Sequence, residues 1–197
     1  MRKAFLLIFI VLFLDQALKI WVKSNMYLGQ DFQITNWFYI HFTENPGMAF
    51  GLEFGGVWGK LALSIFRLLA IGALVFWLRS LIQLKAAGVA IAAVSLILAG
   101  AVGNMIDSAF YGLVYSDSLG RVAEFLPVDG GYSGFLQGKV VDMLYFPLFS
   151  GVLPDWVPVW GGDYFIFFRP IFNIADTSIS VGVGLLLLFQ KKVFPKN

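Results

Sequence analysis

Chemistry in this chain has to come from carboxylates and amides. Its 197 residues hold 12 Asp and Glu, one His and no Cys, so thiolate nucleophiles, disulfides and zinc-thiolate sites are excluded. No His-Glu-x-x-His or Gly-x-Ser-x-Gly run occurs, and the single His41 lies in a strand-like stretch. Neither zinc-dependent nor Ser-His-Asp hydrolysis therefore has its parts. Two Asn-x-x-Asp pairs remain: Asn104 with Asp107 in Gly103-Asn104-Met105-Ile106-Asp107, and Asn173 with Asp176 in Phe172-Asn173-Ile174-Ala175-Asp176. Residues three apart share a helical face, so each pair offers one amide and one carboxylate to the same neighbour. Two carboxylates at one desolvated site repel, which raises one pKa and leaves the pair sharing a proton; one member then activates water while the other protonates a carbonyl oxygen or leaving nitrogen. On spacing alone that pair is Asp107 with Asp176, and the small residues Ala99, Gly100 and Gly103 let their helices approach. Asp142 by itself reads as a surface aspartate. Asp15 and Lys19, four apart, read as a structural ion pair, and Arg67 as a structural cation that pairs within the bundle or snorkels.

The elements that must position these residues are membrane helices. The chain is 59% hydrophobic, 17% aromatic and only 13% charged, with a mean hydropathy of +0.80, whereas a soluble domain carries about 25% charged residues. A net charge of +2 gives no basic field for nucleic acid. Four stretches are long and apolar enough for a bilayer of about 30 Å: 4–22, 58–78, 86–110 and 171–190. The first resembles a secretory signal, but Asp15, Gln16, Lys19 and Trp21 stand where a cleavage site would be, so it reads as a retained helix. Arg2, Lys3, Arg79, Lys85, Lys191, Lys192 and Lys196 fall at the termini or in the short 79–85 loop. By the positive-inside rule those segments are cytoplasmic, and 23–57 and 111–170 face outward.

The outer segments carry structure of their own. Phe38, Ile40 and Phe42 alternate with Tyr39, His41 and Thr43, the period of a strand. Glu44-Asn45-Pro46-Gly47 supplies a turn, and Met48 to Phe54 could pair back as a hairpin within an outer β segment of about 30–56. The 111–170 segment, rich in Gly and Pro and ending with Trp156, Trp160 and Tyr164, reads as a small outer subdomain at the membrane interface.

Five motifs in this order resemble those of the lipoprotein signal peptidase (signal peptidase II) family, bacterial membrane aspartic peptidases. They are Asp15-Gln16-x-x-Lys19, Asn45-Pro46-Gly47-Met48-Ala49-Phe50-Gly51, Gly103 to Asp107, Val140-Val141-Asp142, and Phe172 to Ile179. The resemblance covers essentially the whole chain as one membrane-embedded peptidase domain. It implies an α-helical membrane protein, a four-transmembrane-helix bundle with a small extracytoplasmic β-cradle and an outer loop subdomain. It also implies a catalytic dyad of Asp142 and Asp176, displacing Asp107 from the pair that spacing suggests. Asn45, Gly47, Asn104, Asp107 and Asn173 become the polar shell around substrate and dyad, with Asp15 and Lys19 supporting the first helix. The implied reaction is removal of the signal peptide from a diacylglyceryl-modified prolipoprotein, just before the lipidated cysteine, by a monomeric enzyme of the bacterial inner membrane. Its active site faces outward among membrane lipid, and no cofactor, metal or nucleic acid takes part.

Two departures matter. The family usually has Arg after its Gly-Asn-x-x-Asp motif and this chain has Ser108, leaving Arg121, Lys139 or Arg169 to supply that guanidinium's charge. The connections from Asp107 to Asp142 and from Asp142 to Asp176 are also longer than in compact members, which implies an extra outer layer. The alternative is a small proton-coupled transporter or channel, which would spread its polar residues through the depth of the bundle. Here the cytoplasmic halves of the third and fourth apolar stretches are almost purely apolar.

Overall fold

A computed structural model describes residues 1–46 and 56–193. The elements in chain order are α1 (Arg2–Asn25), β1 (Asp31–Thr35), β2 (Phe38–Asn45), α2 (Gly56–Gln83), α3 (Gly88–Ile106), the single turn α4 (Gly112–Val114), β3 (Val140–Tyr145), β4 (Phe149–Val152), β5 (Tyr164–Phe167), β6 (Ile171–Phe172), α5 (Ile174–Leu188) and α6 (Gln190–Val193). Among the described residues, three helical runs are long and apolar enough to cross a membrane: Arg2–Asn25, Trp58–Gln83 and Gly88–Val114. The fourth apolar stretch begins later than 171. Ile171 and Phe172 pair as β6, Asn173 turns the chain in extended backbone, and α5 runs for 15 residues. Gly47 and the proposed return strand Met48 to Phe54 lie outside the described residues.

These helices are built inside out, as a lipid solvent demands. On α1 the buried residues include Asp15, Lys19, Val22 and Lys23, while Phe5, Phe9 and Phe13 are exposed. Spacings of four, three and one put the buried set on one stripe. α3 is the central helix and packs against α1, α2 and α5. Its approach to α5 and to α1 depends on absent side chains. A Cβ on Gly100 would lie 2.2 Å from the Ala175 carbonyl oxygen, and one on Gly103 would lie 2.7 Å from Asp15 Oδ2. Beyond Ile106 the helix widens into a π turn over Asp107–Tyr111 before α4.

The strands form an antiparallel sheet in the order β1-β2-β3-β6, and β4 pairs with β5 as a separate two-stranded sheet. The alternation read in the sequence is real: Ile40 and Phe42 are buried, and His41 instead pairs across the strand with Asp31, Nδ1 to Oδ1 2.6 Å. The described partner of β2 on that side is β1. Phe42, Val141 and Met143 pack with Val22, Tyr111 and Tyr115 in one apolar core. Because side chains alternate along β3, sending Val141 and Met143 into that core turns Asp142 to the opposite face. Asp142 pairs in register with Thr43, two residues before Asn45.

Candidate active site

The polar residues singled out in the sequence converge where the second half of α1, the end of α3, the middle of β3 and the first turn of α5 meet. Asp15, Lys19, Asp107, Asp142 and Asn173 are all buried. Lys19 is the hub on the α1 side. Its Nζ lies 3.0 Å from Asp15 Oδ2 and 2.8 Å from Asp107 Oδ2, and it donates to Asn104 Oδ1 at 2.8 Å. The expected pair of Asp15 and Lys19 is thus part of a larger cluster. One buried cation between two buried carboxylates leaves net negative charge, which further donors offset. Gln16 Nε2 donates to Asp107 Oδ1 at 2.9 Å and to Asp15 Oδ2 at 3.1 Å, and the Val141 N–H donates to Asp107 Oδ2 at 3.1 Å. Asp15 Oδ1 accepts from the Ala175 N–H at 2.9 Å, a free donor of the first turn of α5. Asp107 is therefore tied to α1 and β3 rather than turned toward Asp176.

On the other side, Asn173 joins two carboxylates. Its side-chain oxygen accepts from the Asp176 N–H at 2.8 Å, while Asp176 Oδ2 accepts from the Asn173 N–H at 3.3 Å, a reciprocal cap of α5. Asn173 Nδ2 donates to Asp142 Oδ1 at 2.6 Å and to Asn104 Oδ1 at 3.1 Å. Asn104 Nδ2 in turn donates to Asp176 Oδ1 at 2.8 Å, and the Asn45 side chain bonds to Asp142. Asp142 and Asp176 thus share Asn173 as a partner within a frame of three asparagines. Burial pushes the Asp142 carboxyl up to about 7, with the negative charge of Asp176 adding to the rise and Lys19, Asn173 and Asn45 opposing it. That places one carboxyl beside another in the environment that lets a pair share a proton.

Two features, the linking role of Gln16 and the burial of Lys23, were not singled out from the sequence. Gln16 stitches α1 to α3 and accepts from the Tyr111 hydroxyl at 3.3 Å; its place beside Asp15, three before Lys19, was the signal. Lys23, four residues beyond Lys19, extends the same stripe. It is fully buried, pairs with Glu44, donates to Ser118 Oγ at 2.8 Å, and lies 4.8 Å from the centre of the Tyr132 ring. Lys139 pairs with the other Glu44 oxygen at 3.2 Å, so the end of β2 that carries Asn45 is held by two lysines. Arg67, expected to pair within the bundle or snorkel, reaches into the bundle: its Nη1 donates to Ser108 Oγ at 3.3 Å. Of the cations expected to stand in at Ser108, Arg121 instead pairs with Asp117 at 2.5 Å on the exposed surface, Lys139 is held by Glu44, and Arg169 is exposed.

Comparison with known proteins bears on the fold and the family. The fold is similar to that of a solved structure described as a bacterial membrane enzyme studied by the in meso method, with a TM-score of 0.63 and 24% identity over 100% of this chain and 93% of that one. A lipoprotein signal peptidase of Porphyromonas gingivalis is 50% identical over 183 residues, 92% of this chain and 80% of that protein. The lipoprotein signal peptidase of Amoebophilus asiaticus is 41% identical over 90% of this chain and 73% of its own length. The sequence profile of the peptidase family A8, signal peptidase (SPase) II, matches residues 7–191. A profile match running from the first helix to the last, with half the residues shared with one relative, leaves one assignment: the chain belongs to the signal peptidase II family.

Proposed function

We propose that the protein removes signal peptides from diacylglyceryl-modified prolipoproteins, cutting before the lipidated cysteine, with Asp142 and Asp176 as the catalytic pair. The observation that carries this reading is the asparagine frame, in which Asn173 donates to the Asp142 carboxylate from its side-chain amide and to the Asp176 carboxylate from its backbone N–H, and Asn104 bonds to Asp176 and to Asn173. Asp142, whose carboxyl is raised to about 7, holds the proton. Asp176 takes a proton from water, the resulting hydroxide attacks the scissile carbonyl carbon, and Asp142 gives its proton to the carbonyl oxygen. When the tetrahedral intermediate collapses, Asp176 returns its proton to the leaving nitrogen and Asp142 recovers one from the hydroxyl. Reactants and products then balance as one water consumed per bond cut.

The four-helix architecture completes this reading. α5 and α6 together form the fourth crossing, both termini are cytoplasmic, and the sheet β1-β2-β3-β6 is the outer cradle of a single monomeric peptidase domain in the bacterial inner membrane. Asp176 at the outer start of α5 then sits at the depth where the apolar run of a signal peptide ends, with the lipid entering from the bilayer. Asn45 lines the substrate side, and the reaction needs no cofactor.

Cleavage of a lipidated precursor by the purified chain in vesicles tests the pair. Asp142→Asn and Asp176→Asn are each expected to abolish turnover, and full activity in either would remove that residue from the pair. For the unaltered chain, kcat/KM should decline as pH rises through about 7, where Asp142 loses its proton. Stability follows the same sign. The folded carboxyl binds its proton more tightly than the unfolded one, so the contribution of Asp142 is present at low pH and is lost as pH rises from the ordinary carboxylate range through about 7.

A further inference from the structure

Besides the apolar core that its Leu78 and Leu81 share with Ala90, Val94 and Leu98 of α3, α2 presents one polar stripe to the rest of the protein. Along most of its length it is a lipid-facing helix: Trp58, Phe66, Leu69 and Phe76 are exposed. Lys60, Ser64 and Arg67, spaced by four and three, share a face, and each reaches the parts around the site. Lys60 Nζ donates to the Pro46 carbonyl oxygen, next to Asn45. Ser64 Oγ donates to the Leu136 carbonyl oxygen at 2.8 Å. Arg67 Nη1 donates to Ser108 Oγ at 3.3 Å, and its charge is felt by Asp176 first, then Asp107, then Asp142.

The surroundings make that guanidinium more than an anchor. Asp107 already has a cation in contact, Lys19 at 2.8 Å. Asp142 and Asp176 are bonded mainly to amides, which are neutral. Ser108 is completely buried in the π turn, and its short side chain leaves room for a guanidinium arriving from α2 while its hydroxyl accepts one N–H. A charge brought into a low-dielectric region acts strongly on carboxylates that have only dipoles around them. The charged groups around Arg67 are Lys60 on its own helix, Asp107 on the α3 side, Asp142 on β3 and Asp176 on α5, with Lys19 of α1 behind Asp107.

We propose that Arg67 is a positioning residue of the active site: held by Ser108, it supplies from α2 the positive charge that keeps the Asp142 and Asp176 pair singly ionised and steady in place. The proposal rests on the peptidase reading and identifies which residue serves that site.

The test uses the full chain in vesicles with a lipidated precursor and compares Arg67→Gln, Arg67→Lys, Ser108→Ala and the double variant Arg67→Gln/Ser108→Arg, which returns a guanidinium from the α3 side. Arg67→Gln should lose about 100-fold in kcat with KM changed by less than about threefold. Without the cation the doubly protonated pair gives up its first proton less readily, so the acid limb of the pH profile should move up by about one unit. Arg67→Lys should stay within about tenfold of the unaltered chain, Ser108→Ala should lose less than Arg67→Gln, and the double variant should regain about tenfold over Arg67→Gln. Unchanged kcat and acid limb in Arg67→Gln overturn the proposal. So does a loss that neither lysine nor the relocated arginine relieves with the acid limb unmoved, because that is the behaviour of a packing residue. If Arg67→Gln does not fold, Arg67→Lys decides: a loss beyond about 100-fold with an unmoved limb overturns the role of the charge. An unaltered chain that cleaves no precursor defeats the peptidase reading, whereas cleavage that survives in Arg67→Gln and fails in Asp176→Asn defeats this proposal alone.

Discussion

At the scale of the residue, Asn173 does the work of three side chains. It caps α5 through its oxygen and holds Asp142 and Asn104 through its amide nitrogen. A primary amide has two N–H donors and one accepting oxygen, and every one of them is used. Serine and alanine separate these roles. Ser at an N-cap keeps an accepting oxygen, so Asn173→Ser should unfold near the unaltered chain, while Asn173→Ala should lose about 1 kcal/mol of stability from the cap. Both lack the amide that reaches Asp142, so both should lose about 100-fold in kcat. Thermal unfolding in detergent together with precursor cleavage reads the two effects apart. Equal loss of stability in both variants would mean that the cap oxygen is not what holds the start of α5.

At the scale of the element, the site depends on how closely α5 lies on α3. The Ala175 carbonyl oxygen sits where a Gly100 side chain would begin, 2.2 Å from the ideal Cβ. Ala175 is adjacent to Asp176, so a methyl group there pushes the carboxylate itself. Gly100→Ala is expected to cost about 1–3 kcal/mol as overpacking and to lower kcat at the same time. Gly72, on α2, has nothing within 4 Å of its ideal Cβ; Gly72→Ala should be neutral or stabilising by about 0.5–1 kcal/mol through helix propensity. Melting temperatures of the two variants in one detergent make the comparison, and equal shifts would contradict the close approach of α3 and α5. The glycine spacing legible in the sequence, Gly100 with Gly103, is what permits this contact. Which helix fills the space is not a local property.

At the scale of the whole molecule, the helical part inverts the polarity of a soluble protein: Asp15, Lys19, Lys23 and Asp107 are buried while Phe5, Phe9, Phe66 and Phe76 face out. Phe9, 64% exposed, and Leu119, 70% exposed, look alike by accessibility, yet one lies on α1 and the other in the segment after α4. In lipid the two positions differ. Phe9→Lys puts a charge within a membrane helix at a cost of about 2.5–3.5 kcal/mol on insertion scales, whereas Leu119→Lys lies outside the three long apolar runs and should cost little. The yield of membrane-integrated protein should fall for Phe9→Lys and hold for Leu119→Lys, and equal yields would argue against α1 facing lipid.

Read alone, the sequence determined the solvent, the apolar stretches, the strand over Phe38 to Phe42 and the roster of polar residues, because composition and short-range periodicity are local quantities. It also identified the family through motifs that are contiguous in the chain. Spacing alone paired Asp107 with Asp176, since helical spacing reveals which residues share a face but not what that face meets. The tertiary structure decided the grouping. The approach of α1 gave Asp107 to Lys19, and the pairing of β2, β3 and β6 turned Asp142 away from the apolar core toward Asn173. The same packing brought Arg67 of α2 to Ser108 of the α3 end, 41 residues apart in sequence. Burial then raised the carboxyl of Asp142, because desolvation depends on everything packed around a group and no stretch of chain carries that information by itself.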